Sequence, residues 1–146
     1  MAFVIGIILA FGAALLGRKA GLDRDRAFYP TVLIVVASYY VLFAAIGGST
    51  NALMLESIVM AGFAIAAVWG FKSSPWIVVA ALFGHGVMDG VHAHLIDNAG
   101  VPAWWPSFCS AFDIAAAGCL AVFSRLPMDS VEEGGDLARL AAAMRR

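Results

Sequence analysis

The sequence predicts an all-α fold, a polytopic membrane bundle of about five transmembrane helices, and three observations carry that expectation. Hydrophobic residues make up 62% of the 146 positions and charged residues only 13%, against roughly 45–50% and about 25% in soluble domains. A water-soluble chain of this length has too little interior to hide so much apolar surface. The apolar residues also fall into five runs, most of them close to the roughly 17 to 25 residues that cross a hydrocarbon core. Finally, five crossings put every Lys and Arg on one side.

In order, the runs are Ala2 to Gly17, Ala27 to Gly47, Ala52 to Phe71, Pro75 to Ile96 and Pro106 to Phe123. The first is short and is followed by Arg18 and Lys19. A secretory signal carries its charge before the apolar stretch and a small-residue cleavage site after it. Here the order is reversed, so the first run reads as an uncleaved helix. The second run, AFYPTVLIVVASYYVLFAAIG, is uncharged; Glu56 interrupts the third and Asp113 the fifth. Residues 1–124 form the bundle in this reading. Residues 125–146 form a polar cytoplasmic tail, whose last eleven residues read as a short amphipathic helix or as disordered chain.

Arg18, Lys19, Arg24 and Arg26 separate the first two runs, Lys72 the third and fourth, and Arg125, Arg139, Arg145 and Arg146 follow the fifth. Cytoplasmic loops carry the excess of Lys and Arg, so the expected topology is N-terminus out and C-terminus in. Trp104 and Trp105 then belong to the outer interface, and Phe28, Tyr29 and Trp76 to the inner one. A net charge of −1 gives no reason to expect a nucleic-acid partner. The expected partners are the lipid bilayer and either a second copy or a larger membrane complex. Cys109 and Cys119 are ten residues apart in one run, about 15 Å along a helix, too far for a disulfide.

The fourth run holds GHGVMDGVHAH, with His85, Asp89, His92 and His94 within ten positions. Ionisable residues inside spans are costly and face the bundle interior or a water-filled cavity. At about 100° per residue, Asp89 lies roughly 40° from His85 and His92 roughly 20° to its other side, whereas His94 falls about 180° away. Counting depth from the outer end puts Glu56 one turn down, Asp113 two turns down, and Asp89 and His92 in the same half. His85 lies nearer the middle, Tyr39 and Tyr40 reach a similar level, and Cys109 lies one turn above Asp113. Four helices therefore offer polar groups to one layer.

Three readings fit that layer. His85, Asp89 and His92 supply the three ligands of a divalent metal such as zinc or iron, with Glu56 or Asp113 as fourth ligand or catalytic base. Alternatively, the His and carboxylate pairs form a proton or ion relay. The third reading is a set of interhelical hydrogen bonds that hold the bundle together. Gly86 and Gly90, a small-xxx-small pair beside the stripe, would let another helix approach. Pro102 and Pro106 bracket AWW and shape an outer loop, or a lid over an outward pocket.

The segments RDRAFYPTVLIVVASYYVLFA, HGVMDGVHAH and GVPAWWPSFCSAFD together resemble a family of small bacterial multi-pass membrane proteins. That resemblance implies a shared fold and a place in the bacterial inner membrane, and it brings no particular activity. His85, Asp89, His92, and Ser57 beside Glu56, are also similar to the ingredients of membrane-embedded zinc hydrolases, the alkaline ceramidase and adiponectin-receptor-like proteins. This chain departs from them in having five spans rather than seven and no H-x3-H pair on a late helix. The functional expectation is a membrane protein with a metal-binding pocket in its outer half. As an enzyme, it would be a metal-dependent hydrolase of a lipid-like substrate, with Glu56 or Asp113 moving the proton. The rival from another class is a non-catalytic subunit or scaffold of a larger assembly.

Overall fold

The computed structural model describes residues 1–22 and 26–125. The expected amphipathic tail lies outside the described residues. The described residues form five helices: α1 (Ala2–Ala20), α2 (Phe28–Ile46), α3 (Thr50–Lys72), α4 (Pro75–Leu95) and α5 (Trp105–Phe123). All five are long and apolar enough to cross a membrane, and the chain is a polytopic membrane helix bundle.

The helix ends follow from local chemistry. The first helix runs past the expected end at Gly17, because Arg18 and Lys19 are good helix formers whose heads reach out of an apolar layer. It stops at Gly21, which adopts φ 73 and sends its N–H to the Arg18 carbonyl. Ser49 caps α3 by accepting from the Ala52 N–H at 3.2 Å, and Ser74 caps α4 from Trp76 at 3.3 Å. Side-chain acceptors of this kind satisfy the orphan donors of a first turn. Pro75 and Pro106 each lie in a first helical turn, where a missing N–H costs nothing.

Four helices form the core of the bundle. The α2 helix packs on α3, α3 on α4 and α4 on α5, while α1 lies against the outside of α5. The buried face of α1 consists of Gly6, Ala10, Ala14 and Gly17, a stripe with helical spacing and almost no side chain. At Gly6 a Cβ would collide with the Phe108 carbonyl, so the two backbones meet directly. Close packing of small residues is the main attraction left between helices once both sides are apolar.

The distribution of polarity is inverted relative to a soluble protein. Ile8, Leu16, Ile46, Ile58, Ile65 and Leu95 are all well exposed, whereas Glu56, His85, Asp89, His92 and Asp113 are each at most 2% exposed. The core also has two halves. Tyr29, Leu33, Ala67, Val78, Leu82 and Cys119 belong to an apolar cluster near the end where α2 and α4 start. The buried histidines and carboxylates gather in the other half. At the first end Arg18 lies over the Phe123 ring at 4.7 Å and Arg125 over Trp76 at 5.1 Å, so these two arginines, which follow α1 and α5, share the end of the bundle where α4 starts.

Candidate metal centre

Residues His85, Asp89 and His92 recur at intervals of four and three on α4, and all three are buried. His94, on the far side of the same helix, is exposed. From α5 come Cys109 and Asp113, four apart and 1% and 0% exposed. The two helices approach closely because residue 86 is glycine. A Cβ there would lie 2.9 Å from Ile114 Cγ1 and 3.0 Å from the Ser110 carbonyl. Gly90, the other half of the expected pair, faces open space and plays no part in this contact.

Across that contact the Nδ1–H of His85 donates to Asp113 Oδ2 at 2.6 Å. Asp89 Oδ2 lies 3.4 Å from the same nitrogen, and the Cys109 thiol donates to Asp113 Oδ2 at 3.8 Å. One ligating atom from each of His85, Asp89, Cys109 and Asp113 falls within 4.8 Å of the others, and all four residues are buried. Metal–ligand bonds of about 2.0–2.3 Å in a tetrahedral site put ligands about 3.3–3.8 Å apart. Side-chain shifts of about an ångström would therefore bring all four to one ion.

The surroundings leave this group short of partners. Phe63 presents its edge to His85 at a centroid distance of 4.7 Å, and Tyr40 lies 6.2 Å away. Both oxygens of Asp89, Oδ1 of Asp113 and Nε2 of His85 are buried without a hydrogen bond. The His85 Nδ1–H, 3.4 Å from Asp89 Oδ2, and the Tyr40 hydroxyl are neutral donors beside Asp89, and two buried carboxylates remain expensive unless a proton or a cation is shared between them. One imidazole nitrogen, one thiol and two carboxylates form a donor set that could hold a divalent ion.

A second polar unit lies nearer the end of α4. The Nε2–H of His92 donates to Glu56 Oε1 at 2.7 Å, joining α4 to α3. Asn98, in the connection to α5, donates to the same Glu56 oxygen at 2.9 Å and to the Tyr40 carbonyl at 3.1 Å. Its own Oδ1 accepts from Gly100 N at 3.3 Å, and the turn is tight enough that a Cβ on Gly100 would strike the Phe43 carbonyl. The Tyr40 ring stacks on the His92 imidazole at 4.2 Å, and its hydroxyl lies beside Asp89. Tyr40 thus stands between the two units.

The structure therefore brings together polar groups from α2, α3, α4 and α5. Of the residues expected as ligands, His85 and Asp89 belong to the group of four, while His92 pairs with Glu56. Of the two carboxylates expected to supply a ligand or base, Asp113 contacts His85 and Glu56 belongs to the second unit. Ser57 turns away: it is exposed, and its hydroxyl donates to the Leu53 carbonyl at 2.6 Å. Tyr39 is 38% exposed and packs on Phe43 and Trp105 instead. Set against known protein families, curated proteins and solved structures, the chain matches none.

Two participants were not assigned a role from sequence. Cys109 carried a usable signal, since it lies one turn from Asp113 on the same face. Asn98 carried a weaker one, because Asn two residues before Gly is the signature of a side chain closing a turn on its own backbone.

Proposed function

We propose that this chain is a membrane protein that holds one divalent metal ion, zinc or iron, through His85, Asp89, Cys109 and Asp113. The observation that carries this reading is the convergence of four ligating atoms within 4.8 Å in a fully buried setting. Oxygen-only ions such as magnesium or calcium suit the set less well, because two of its four donors are nitrogen and sulfur. The proposed orientation is N-terminus out and C-terminus in, which places the centre between mid-membrane and the outer surface.

Four protein ligands sealed from water are typical of an ion held for its own sake, whereas catalytic zinc keeps three ligands and an open position. Hydrolysis of a lipid-like substrate fits only if Asp113 leaves the ligand set and serves as base beside His85. Its unpartnered Oδ1 is the feature that favours this second reading. A relay across the whole membrane is supported less, because Leu33, Val78 and Leu82 fill the core beyond His85 and no described histidine or carboxylate is buried there.

Elemental analysis of tag-free protein tests the proposal. Near-stoichiometric zinc or iron is expected, lost in Asp89→Asn and Cys109→Ala and kept in His92→Ala. Absence of metal from the wild-type protein after purification in metal-supplemented buffer overturns it. Retention in Asp113→Asn would make Asp113 a base rather than a ligand.

A further inference from the structure

We infer that the bundle seats one anionic phospholipid, its phosphate at Arg18 and Arg26 and one acyl chain in the groove between α2 and α5. The inference rests on the membrane bundle and does not require a bound metal, although Cys109 lines the groove and belongs to the metal group. Because α2 and α5 touch only sparingly, a groove of about 470 Å³ opens between them. Its α2 wall is Phe28, Thr31, Val32, Val35, Val36 and Tyr39, a stripe at helical spacing that covers about 16 Å of rise.

The opposite wall includes Phe112, Phe108 and Cys109. At one end the groove is closed by Tyr39 and Trp105, whose rings meet at 4.9 Å. At the other end Phe28 also lines a second cavity, of about 160 Å³, whose rim carries Arg18 and Arg26.

Three features select the occupant. Val35 and Tyr39 are 44% and 38% exposed, so the groove is continuous with the lipid-facing surface and hydrocarbon is what bathes it. No charged side chain lines it. The cavity at its foot is lined by two arginines, and no described carboxylate pairs with either of them. The connection from residue 18 to residue 26 contains four basic side chains against two acidic ones, Asp23 and Asp25. Two arginines on a cavity that shares Phe28 with an apolar slot match a phosphate attached to an acyl chain. Phosphatidylcholine is the poorer fit, since its trimethylammonium group would face the same arginines.

The test is native mass spectrometry of the full chain released from bilayers of equal phosphatidylglycerol and phosphatidylcholine. One phosphatidylglycerol per chain should survive, preferred by about tenfold or more over phosphatidylcholine, since each basic side chain contributes to holding an anionic lipid. Arg18→Gln/Arg26→Gln should bring the preference close to one. Val35→Trp fills the groove from its lipid-exposed side without touching a charge or the core, and should reduce phosphatidylglycerol retention as strongly. Thr31→Trp is the second groove-filling variant.

Equal retention of both lipids, unchanged in every variant, overturns the inference. So does a preference that depends on the arginines but ignores both tryptophans, which would describe headgroup contact without a seated chain. Conversion of a dimer to a monomer by Val35→Trp, with lipid retention unchanged, would assign the groove to a second copy. Metal content read on the same samples should not follow Arg18→Gln/Arg26→Gln, whose side chains line a different cavity from Cys109, so either proposal can fail while the other stands.

Discussion

His92 and Glu56 are joined at 2.7 Å between α4 and α3, and the two side chains are only 2% and 1% exposed. Removing His92 leaves Glu56 with only the Asn98 amide in a dry interior, and breaking a buried pair in this way costs up to about 3–5 kcal/mol. His92→Ala should therefore lower the thermal midpoint in detergent sharply while metal content is unchanged. Glu56→Gln keeps a hydrogen-bonding group against His92 and should cost clearly less. Loss of metal in His92→Ala with stability unaltered would contradict both halves of this expectation.

Metal retention should fall as pH is lowered. Imidazole, thiolate and carboxylates bind an ion only when deprotonated, so protons compete at each of the four ligands. Dialysis at a series of pH values followed by elemental analysis should give a steep, cooperative loss on the acid side. Adding back zinc at neutral pH should raise the thermal midpoint in proportion to the logarithm of its free concentration. Cys109→Ala should flatten that dependence.

Gly86→Val places a branched side chain where even one carbon meets Ile114 and the Ser110 carbonyl. Forcing α4 and α5 apart should cost about 1–3 kcal/mol or more, and should loosen the His85–Asp113 contact with it. Gly90→Ala faces open space and should be close to neutral. Thermal unfolding of the two variants side by side separates packing at residue 86 from a general intolerance of α4.

Asn98→Ala removes the donor that Glu56 and the Tyr40 carbonyl share. The expected loss is about 1–3 kcal/mol, the cost of leaving buried acceptors unpaired. Hydrogen exchange should rise locally in residues 97 to 104 before the helices respond. Uniform exchange across the bundle would show that Asn98 does not hold this connection down.

The proposed topology is testable with the cysteine chemistry of the chain itself. Cys109 and Cys119 are both buried, so they should stay silent to a membrane-impermeant maleimide. A cysteine placed at Asp97 should label from outside intact cells. One placed at Arg125 should label only after permeabilisation. The reverse pattern would invert the orientation.

The spans and the polar layer were legible in the sequence because both depend on properties that act along one helix. Hydropathy gives the five runs, and the angle between His85, Asp89 and His92 gives the shared face. The pairing was not legible, because it depends on how neighbouring helices are rotated and how far each residue lies along the axis. His85 and His92 are nearly superimposed in projection, yet seven residues correspond to about 10 Å of rise, and each meets a different carboxylate. Gly86 and Gly90 looked equivalent for a related reason. Only the position of α5 decides which of them it needs.

The confinement of the polar groups to one half of the bundle has an electrical consequence. His85 is the midpoint of α4 and Asp113 is close to the midpoint of α5, and beyond them no described histidine or carboxylate is buried in the core. Charge reaching that depth has crossed about half of the insulating layer. A full crossing corresponds to about 2.3 kcal/mol per elementary charge at 100 mV. A divalent ion held at half that depth would therefore experience a similar amount. For the proposed centre, an ion that entered without displacing protons would have its apparent affinity shifted by more than tenfold when that potential is energised or collapsed, and each ligand proton released in exchange would cancel half of the coupling energy.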